Sequence, residues 1–176
     1  MIKFRINEPA LSDLEKEYAL DVIDQNWLSA GGKHTEDFEN LVSSYLGVKY
    51  AIALQSGTAA LHLALKAANV KKDDYVVIPN YSCGATISAV KQCNAIPIVI
   101  DIDPVSYSLD VNILEDVVKK YKIKALQFVH VYGFISKNTI EIASICRDND
   151  IVLIEDAAEA LGAKIGDTMA GSIGDI

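Results

Sequence analysis

Ile151-Val-Leu-Ile-Glu-Asp-Ala-Ala-Glu-Ala-Leu-Gly162 is the stretch that decides the fold. Four branched aliphatics in a row describe a strand covered on both faces, as in the middle of a parallel sheet with helices on either side. The run delivers Asp156 to the strand's carboxyl end and places Glu159 three residues further on. Ligands of open α/β sheets bind just beyond such ends. A carboxylate there is well placed to hold a cofactor.

Outward from this strand, helices and strands alternate. Residues 11–26 read as an amphipathic helix, capped by Ser12 or Asp13, with Leu14, Tyr18 and Ile23 on its apolar stripe. A loop through Trp27, Leu28, Ser29 and Gly32 leads to a helix over 35–46 that Gly47 ends. Ala51–Leu54 reads as a short strand, and Ser56-Gly57-Thr58 as the turn into a helix over 59–68. Further strands are expected at 75–78, 96–100 and 125–131, and helices at 85–93, from Leu109 or Val111 to Tyr121, and at 140–149. This alternation predicts one α/β domain, a parallel sheet joined by right-handed crossovers.

Composition narrows the function. With 176 residues, 51% of them hydrophobic, the chain can bury a core of about one domain. Sixteen basic against 24 acidic residues give a net charge of −8, with the signs interspersed. A nucleic-acid groove would need a basic stripe. The run from Lys119 to Lys124 is instead the solvated end of a helix. No apolar run approaches the roughly 20 residues of a membrane span, and Met1–Arg5 lacks a signal's apolar core. Cys83, Cys93 and Cys146 form no CxxC pair and no zinc cluster. A reduced, cytoplasmic setting is expected, with Cys93 and Cys146 acting as small hydrophobes.

Several residues could carry chemistry. Ser56-Gly57-Thr58, between strand and helix, offers free amides and a hydroxyl to a phosphate, or Ser56 merely caps the helix. Asp156 could face a pyridinium nitrogen and keep that ring an electron sink, or it could cap the following segment or enter a buried ion pair. Glu155 points to the opposite strand face and is read as structural. Asp101 and Asp103 share a strand face, but the turn at Pro104 explains them without a metal. His34 is expected in a polar loop, His62 on a solvated helix face, and His130 at a strand end near a pocket. Gly166–Asp175 is glycine-rich with no helix after it, which reads as a hairpin rather than a dinucleotide fingerprint.

Taken in order, the segments resemble the DegT/DnrJ/EryC1/StrS group of fold-type I pyridoxal-phosphate enzymes. The resemblance is carried by Asn26-Trp27-Leu28-Ser29 with Gly32 and Phe38-Glu39, by Ser56–Leu65, and by Val77–Thr86. Val99–Asp103, Val129–Gly133, Ile154–Gly162 and Gly171–Asp175 complete it. It implies a three-layer α/β sandwich with a mostly parallel sheet, the large domain of that fold, here incomplete. Residues 1–48 would form an N-terminal helical segment and 49–176 the incomplete cofactor-binding domain. The implied reaction moves an amino group, commonly from glutamate, onto a nucleoside-diphosphate keto-sugar, with pyridoxal 5'-phosphate as cofactor. A sugar dehydratase of the same group, in which histidine replaces the lysine, is the close alternative; a non-catalytic remnant or interaction module is the distant one.

By the same resemblance, Ser56, Gly57 and Thr58 bind the cofactor phosphate and Asp156 pairs with the ring nitrogen. Glu159 sits near the ring hydroxyl, and Trp27 and Ser29 lie near the sugar-nucleotide site or the dimer interface. Cys83 stands where many relatives place a stacking aromatic, and it covers the ring face with less area. The Schiff-base lysine would fall about ten residues past Ile176, and no lysine of this chain, Lys164 included, matches its position. A homodimer or a completing C-terminal fragment is therefore expected, and without one the unpaired strand edges predict poor stability.

Overall fold

A computed structural model describes residues 9–27, 29 and 31–176, and these form two compact units. The first comprises residues up to Tyr45 with Lys49–Ala53, and the second Leu46–Val48 with Leu54–Ile176.

In the first unit, helix α1 (Asp13–Asp24) opens on a capping box. The Ser12 hydroxyl accepts from the Leu14 amide at 3.3 Å, and Glu15 accepts from the Ser12 amide at 2.6 Å, which satisfies amides that a helix start leaves free. Helix α2 (Lys33–Leu46) starts earlier than expected, so His34 lies within it rather than in a loop, and its Nε2 sits 2.7 Å from Asp21. Neither helix buries a residue. Ala51–Leu54 is not a strand: among the described residues no strand lies beside it, and Ile52 is exposed. Apolar residues alone do not make a strand without a ladder to join.

The second unit is built on a four-stranded parallel sheet. Helix α3 (Gly57–Ala67) is followed by β1 (Tyr75–Pro79), α4 (Gly84–Gln92), β2 (Ile96–Ile100), α5 (Val111–Lys120) and β3 (Ile123–Val129). Next come a 3-10 turn (Val131–Gly133), α6 (Thr139–Asp148), β4 (Val152–Asp156) and a small antiparallel hairpin of β5 (Lys164–Ile165) and β6 (Thr168–Met169). Strand order is β2-β1-β3-β4.

Alternation along the strands divides the core. Val76, Ile78 and Ile154 pack with α3 and α4 on one face, while Val77, Phe128 and Leu153 pack with Leu114 of α5 and Ile142 of α6 on the other. This is the three-layer sandwich. His62 of α3 is half-buried rather than solvated, with its Nε2 shut away from water. Gln127, in β3, is fully buried, and among the described residues neither end of its amide has a partner. Asp103 closes the turn after β2 by accepting from the Val105 and Ser106 amides, which is the non-metal reading of that pair of acids.

The register aligns the carboxyl ends, with Pro79 opposite Ile100 and Val129 opposite Asp156. From β1 the chain steps to β2 on one side, then returns to place β3 on the other. Connections leaving in opposite directions open a crevice at that point of the strand edge.

Candidate active site

A cavity of about 460 Å³ occupies this crevice. Three segments wall it, each leaving a strand at the same edge. Tyr81, Ser82 and Cys83 follow β1, Val129–Tyr132 end β3, and Asp156, Ala158 and Glu159 end β4.

Asp156 is half-buried. Its Oδ1 accepts from the Ala158 amide at 3.2 Å, and among the described residues its other oxygen has no donor. Burial raises its carboxyl above the usual range, opposed by the Ala158 amide and the charge of His130 and reinforced by the charge of Glu159. A carboxylate held this way retains capacity for a cationic N–H.

Glu159, exposed at the cavity wall, accepts from the Tyr132 amide at 2.9 Å. Tyr132 and Gly133 turn the chain through positive φ (52° and 79°), and a Cβ on Gly133 would meet the Glu159 carbonyl. The turn after β3 and the turn after β4 are thus locked to each other. Tyr81 stands edge-on to Tyr132, their centroids 6.5 Å apart. The neighbouring Tyr132 phenol raises the Tyr81 pKa.

His130 is buried, its backbone amide donating to the Asp156 carbonyl at 3.0 Å. Its Nε2 lies 2.7 Å from Glu155, and among the described residues its Nδ1 has no partner. Burial pushes the Glu155 carboxyl up, but hydrogen bonds from His130 and the Gly171, Gly174 and Ile173 amides outweigh it, and the net effect is a lowered pKa.

The structure therefore brings Cys83, Asp156 and Glu159 together. It leaves Ser56, Gly57 and Thr58 outside the cavity wall, at the start of α3, which packs against α4 and β4. There the Ser56 hydroxyl accepts from the Ala59 amide at 3.2 Å, so the capping role is realised. The Gly57 and Thr58 amides have no acceptor among the described residues, and nothing lies within 4 Å of where a Gly57 Cβ would stand. Trp27 and Ser29 belong to the first unit and line a separate cavity of about 300 Å³ with Lys33 and His34. Leu28 lies outside the described residues. Sequence reading missed Tyr81 and the partners of Glu155. The one available signal was an acid embedded in a buried strand run, which must find donors.

Among the described residues no group of three or more His, Cys, Asp or Glu side chains could hold a metal, and no helix is long and apolar enough to cross a membrane.

A parallel sheet with its cavity at the switch point and a half-buried aspartate at a strand's carboxyl end defines a ligand-binding α/β domain. The chain belongs to the DegT/DnrJ/EryC1/StrS aminotransferase family, whose sequence model matches residues 9–176. It is 37% identical over 173 residues to GDP-perosamine synthase of Caulobacter vibrioides, covering 98% of this chain and 46% of that protein. To the GDP-perosamine synthase of Vibrio cholerae it is 35% identical over 173 residues, covering 97% and 46%. Among solved structures, the E. coli GDP-4-keto-6-deoxy-D-mannose-3-dehydratase with bound hydrated PLP superposes with a TM-score of 0.88 at 28% identity, covering 99% of this chain and 46% of that one. The chain spans about half the length of the curated relatives it matches.

Proposed function

We propose that these residues form the cofactor-binding part of a pyridoxal 5'-phosphate-dependent aminotransferase. Its substrate is a nucleoside-diphosphate keto-sugar and its amino donor glutamate. The observation that carries this reading is the Asp156 carboxylate in the wall of the switch-point cavity, with an oxygen to which no donor among the described residues bonds. When bound, pyridoxal phosphate supplies the electron sink for amino-group transfer.

The residues fit that group. Asp156 accepts the ring N–H and balances its charge. Glu159, one oxygen already held by the Tyr132 amide, takes the ring hydroxyl. Cys83 covers a ring face. The unpaired amides of Gly57 and Thr58, with the hydroxyls of Ser56 and Thr58, hold the phosphate at the start of α3. Trp27 and Ser29 contact the sugar nucleotide. In this reading residues 1–48 are a helical segment preceding the cofactor domain of 49–176. The working enzyme is a cytoplasmic homodimer, or an assembly completed by a C-terminal fragment, with no nucleic-acid or membrane partner. These 176 residues alone are inactive, since none of their lysines matches the Schiff-base position.

Likeness to the E. coli dehydratase favours one second reading, a pyridoxal-phosphate sugar dehydratase that holds its cofactor through the same residues.

The test is an absorbance titration of pyridoxal phosphate into the whole polypeptide carrying these residues, followed by assay of amino transfer from glutamate to nucleotide keto-sugars. Saturable binding with transfer is expected. Binding with loss of water from the sugar instead selects the dehydratase, and a folded protein that binds no cofactor sinks both readings. Trp27, the single tryptophan of these residues, should report nucleotide-sugar binding through its fluorescence.

A further inference from the structure

Away from the cavity-lining residues proposed to hold the cofactor, four hydrogen-bond donors gather on Glu155. Its side chain is 2% exposed, and both oxygens are fully used. Oε1 accepts from His130 Nε2 at 2.7 Å and from the Gly171 amide at 2.8 Å. Oε2 accepts from the Ile173 and Gly174 amides at 2.9 and 3.0 Å. The same residue's amide donates to the Ile176 carbonyl at 2.8 Å. Beside it, Asp175 bonds the Leu153 carbonyl through its amide and the Leu153 amide through its carboxylate. Residues 171–176 are thereby laid along the outer edge of β4. Gly174 comes so near that a Cβ there would meet the Leu153 carbonyl at 2.9 Å and the Glu155 Cβ at 3.1 Å.

We propose that Glu155 is a positioning residue for Asp156: its carboxylate clamps the imidazole of His130 at the cavity wall and the 171–176 segment against β4. The inference rests on the proposed cofactor role of Asp156. The physical logic is that a buried carboxylate with four donors cannot move without leaving several of them unpaired. His130 is thus held where its charge, when present, favours the Asp156 carboxylate against burial. The titratable groups around Asp156 are His130 from the end of β3, Glu159 from the turn after β4, and Tyr81, Cys83 and Tyr132 on the other walls, while Glu155, next to it in β4, faces His130 and the 171–174 amides. The first turn of α3 carries no titratable side chain, and Glu141 at the start of α6 faces solvent.

The test uses the whole polypeptide with three substitutions: Glu155→Gln, His130→Gln and, as a control, Ile154→Val. His130→Gln keeps an N–H donor for Glu155 but carries no charge. Ile154→Val loosens the same strand without touching a polar group. Pyridoxal phosphate affinity is read against pH, and hydrogen exchange is read at residues 171–176. Both Gln variants should weaken the cofactor roughly tenfold at neutral pH, and His130→Gln, which removes a charge that favours the Asp156 carboxylate, should also move the loss of affinity on acidification to higher pH. Exchange at 171–176 should quicken in Glu155→Gln alone, and the control should match wild type in affinity and pH profile.

Gln variants that bind with unchanged affinity and pH profile, or a control that behaves as they do, overturn the proposal. Should the variants fail to fold, exchange in the wild type decides. Protected amides at Gly171, Ile173 and Gly174 support the clamp, and exchange at open-loop rates overturns it. A wild type that binds no cofactor instead removes the functional reading beneath it.

Discussion

Gly133 and Glu159 meet backbone to backbone: a Cβ on Gly133 would stand 2.7 Å from the Glu159 carbonyl oxygen, and Gly133 itself has a φ of 79°. Two constraints therefore fall on one position, a left-handed backbone and a contact with no room for a methyl. Gly133→Ala should cost about 1–3 kcal/mol in urea unfolding. Since the contact locks the turn that carries Glu159, it should also weaken cofactor binding beyond what the stability loss explains.

Asp156 illustrates the opposing demands of stability and function. Its carboxyl lies above the ordinary 3.8 because of burial, partly offset by the Ala158 amide and His130. A carboxyl raised in the folded state contributes stability below its unfolded pKa, and that contribution is lost as pH rises through the folded value. At neutral pH the charge is therefore a cost to the fold. Asp156→Asn, which keeps an oxygen for the Ala158 amide, should be more stable than wild type at pH 7. The difference should vanish as both are taken to acid. Cofactor affinity should fall by one to two orders of magnitude, the worth of a hydrogen bond to a charged group, about 1.5–3 kcal/mol. Thermal unfolding against pH, with absorbance titration, checks both signs.

The three thiols should separate cleanly. Cys83 is exposed in the cavity wall, whereas Cys93 and Cys146 are buried. Burial raises the Cys93 thiol and pushes that of Cys146 up to about 12. Native alkylation with iodoacetamide, read by peptide mass, should label Cys83 and spare the other two. Saturating pyridoxal phosphate should protect it.

Gln127 is a stability defect in the middle of the sheet. Both polar atoms of its amide are buried and, among the described residues, unpaired, each such group costing about 1–3 kcal/mol. Gln127→Met, close in length and apolar, should raise the melting temperature while leaving cofactor affinity unchanged. A lower melting temperature would show that the amide has a partner that the fold needs.

The legibility of this protein followed the range of the interactions involved. Ile151–Ile154 announced a buried strand because both faces of such a strand must be apolar, and the covalent sequence alone carries that pattern. Ser12 and Ser56 announced helix starts because capping reaches only two or three residues along the chain. Ala51–Leu54 misled, since a strand exists only through a neighbour and no composition can report whether one is present. His34 and His62 misled for the same reason, as Asp21 and the half-buried setting of α3 are supplied by distant residues.

By itself the sequence determined the alternation of elements, the family likeness, and Asp156 at a strand end, all local or ordered along the chain. Only the tertiary structure decided that β3 lies on the far side of β1 from β2, so that three strand ends wall one cavity. It alone decided that Glu155 joins His130 to a turn sixteen to nineteen residues away. Those facts depend on strand order and on hydrogen bonds between distant segments, which become definite only when the sheet is assembled.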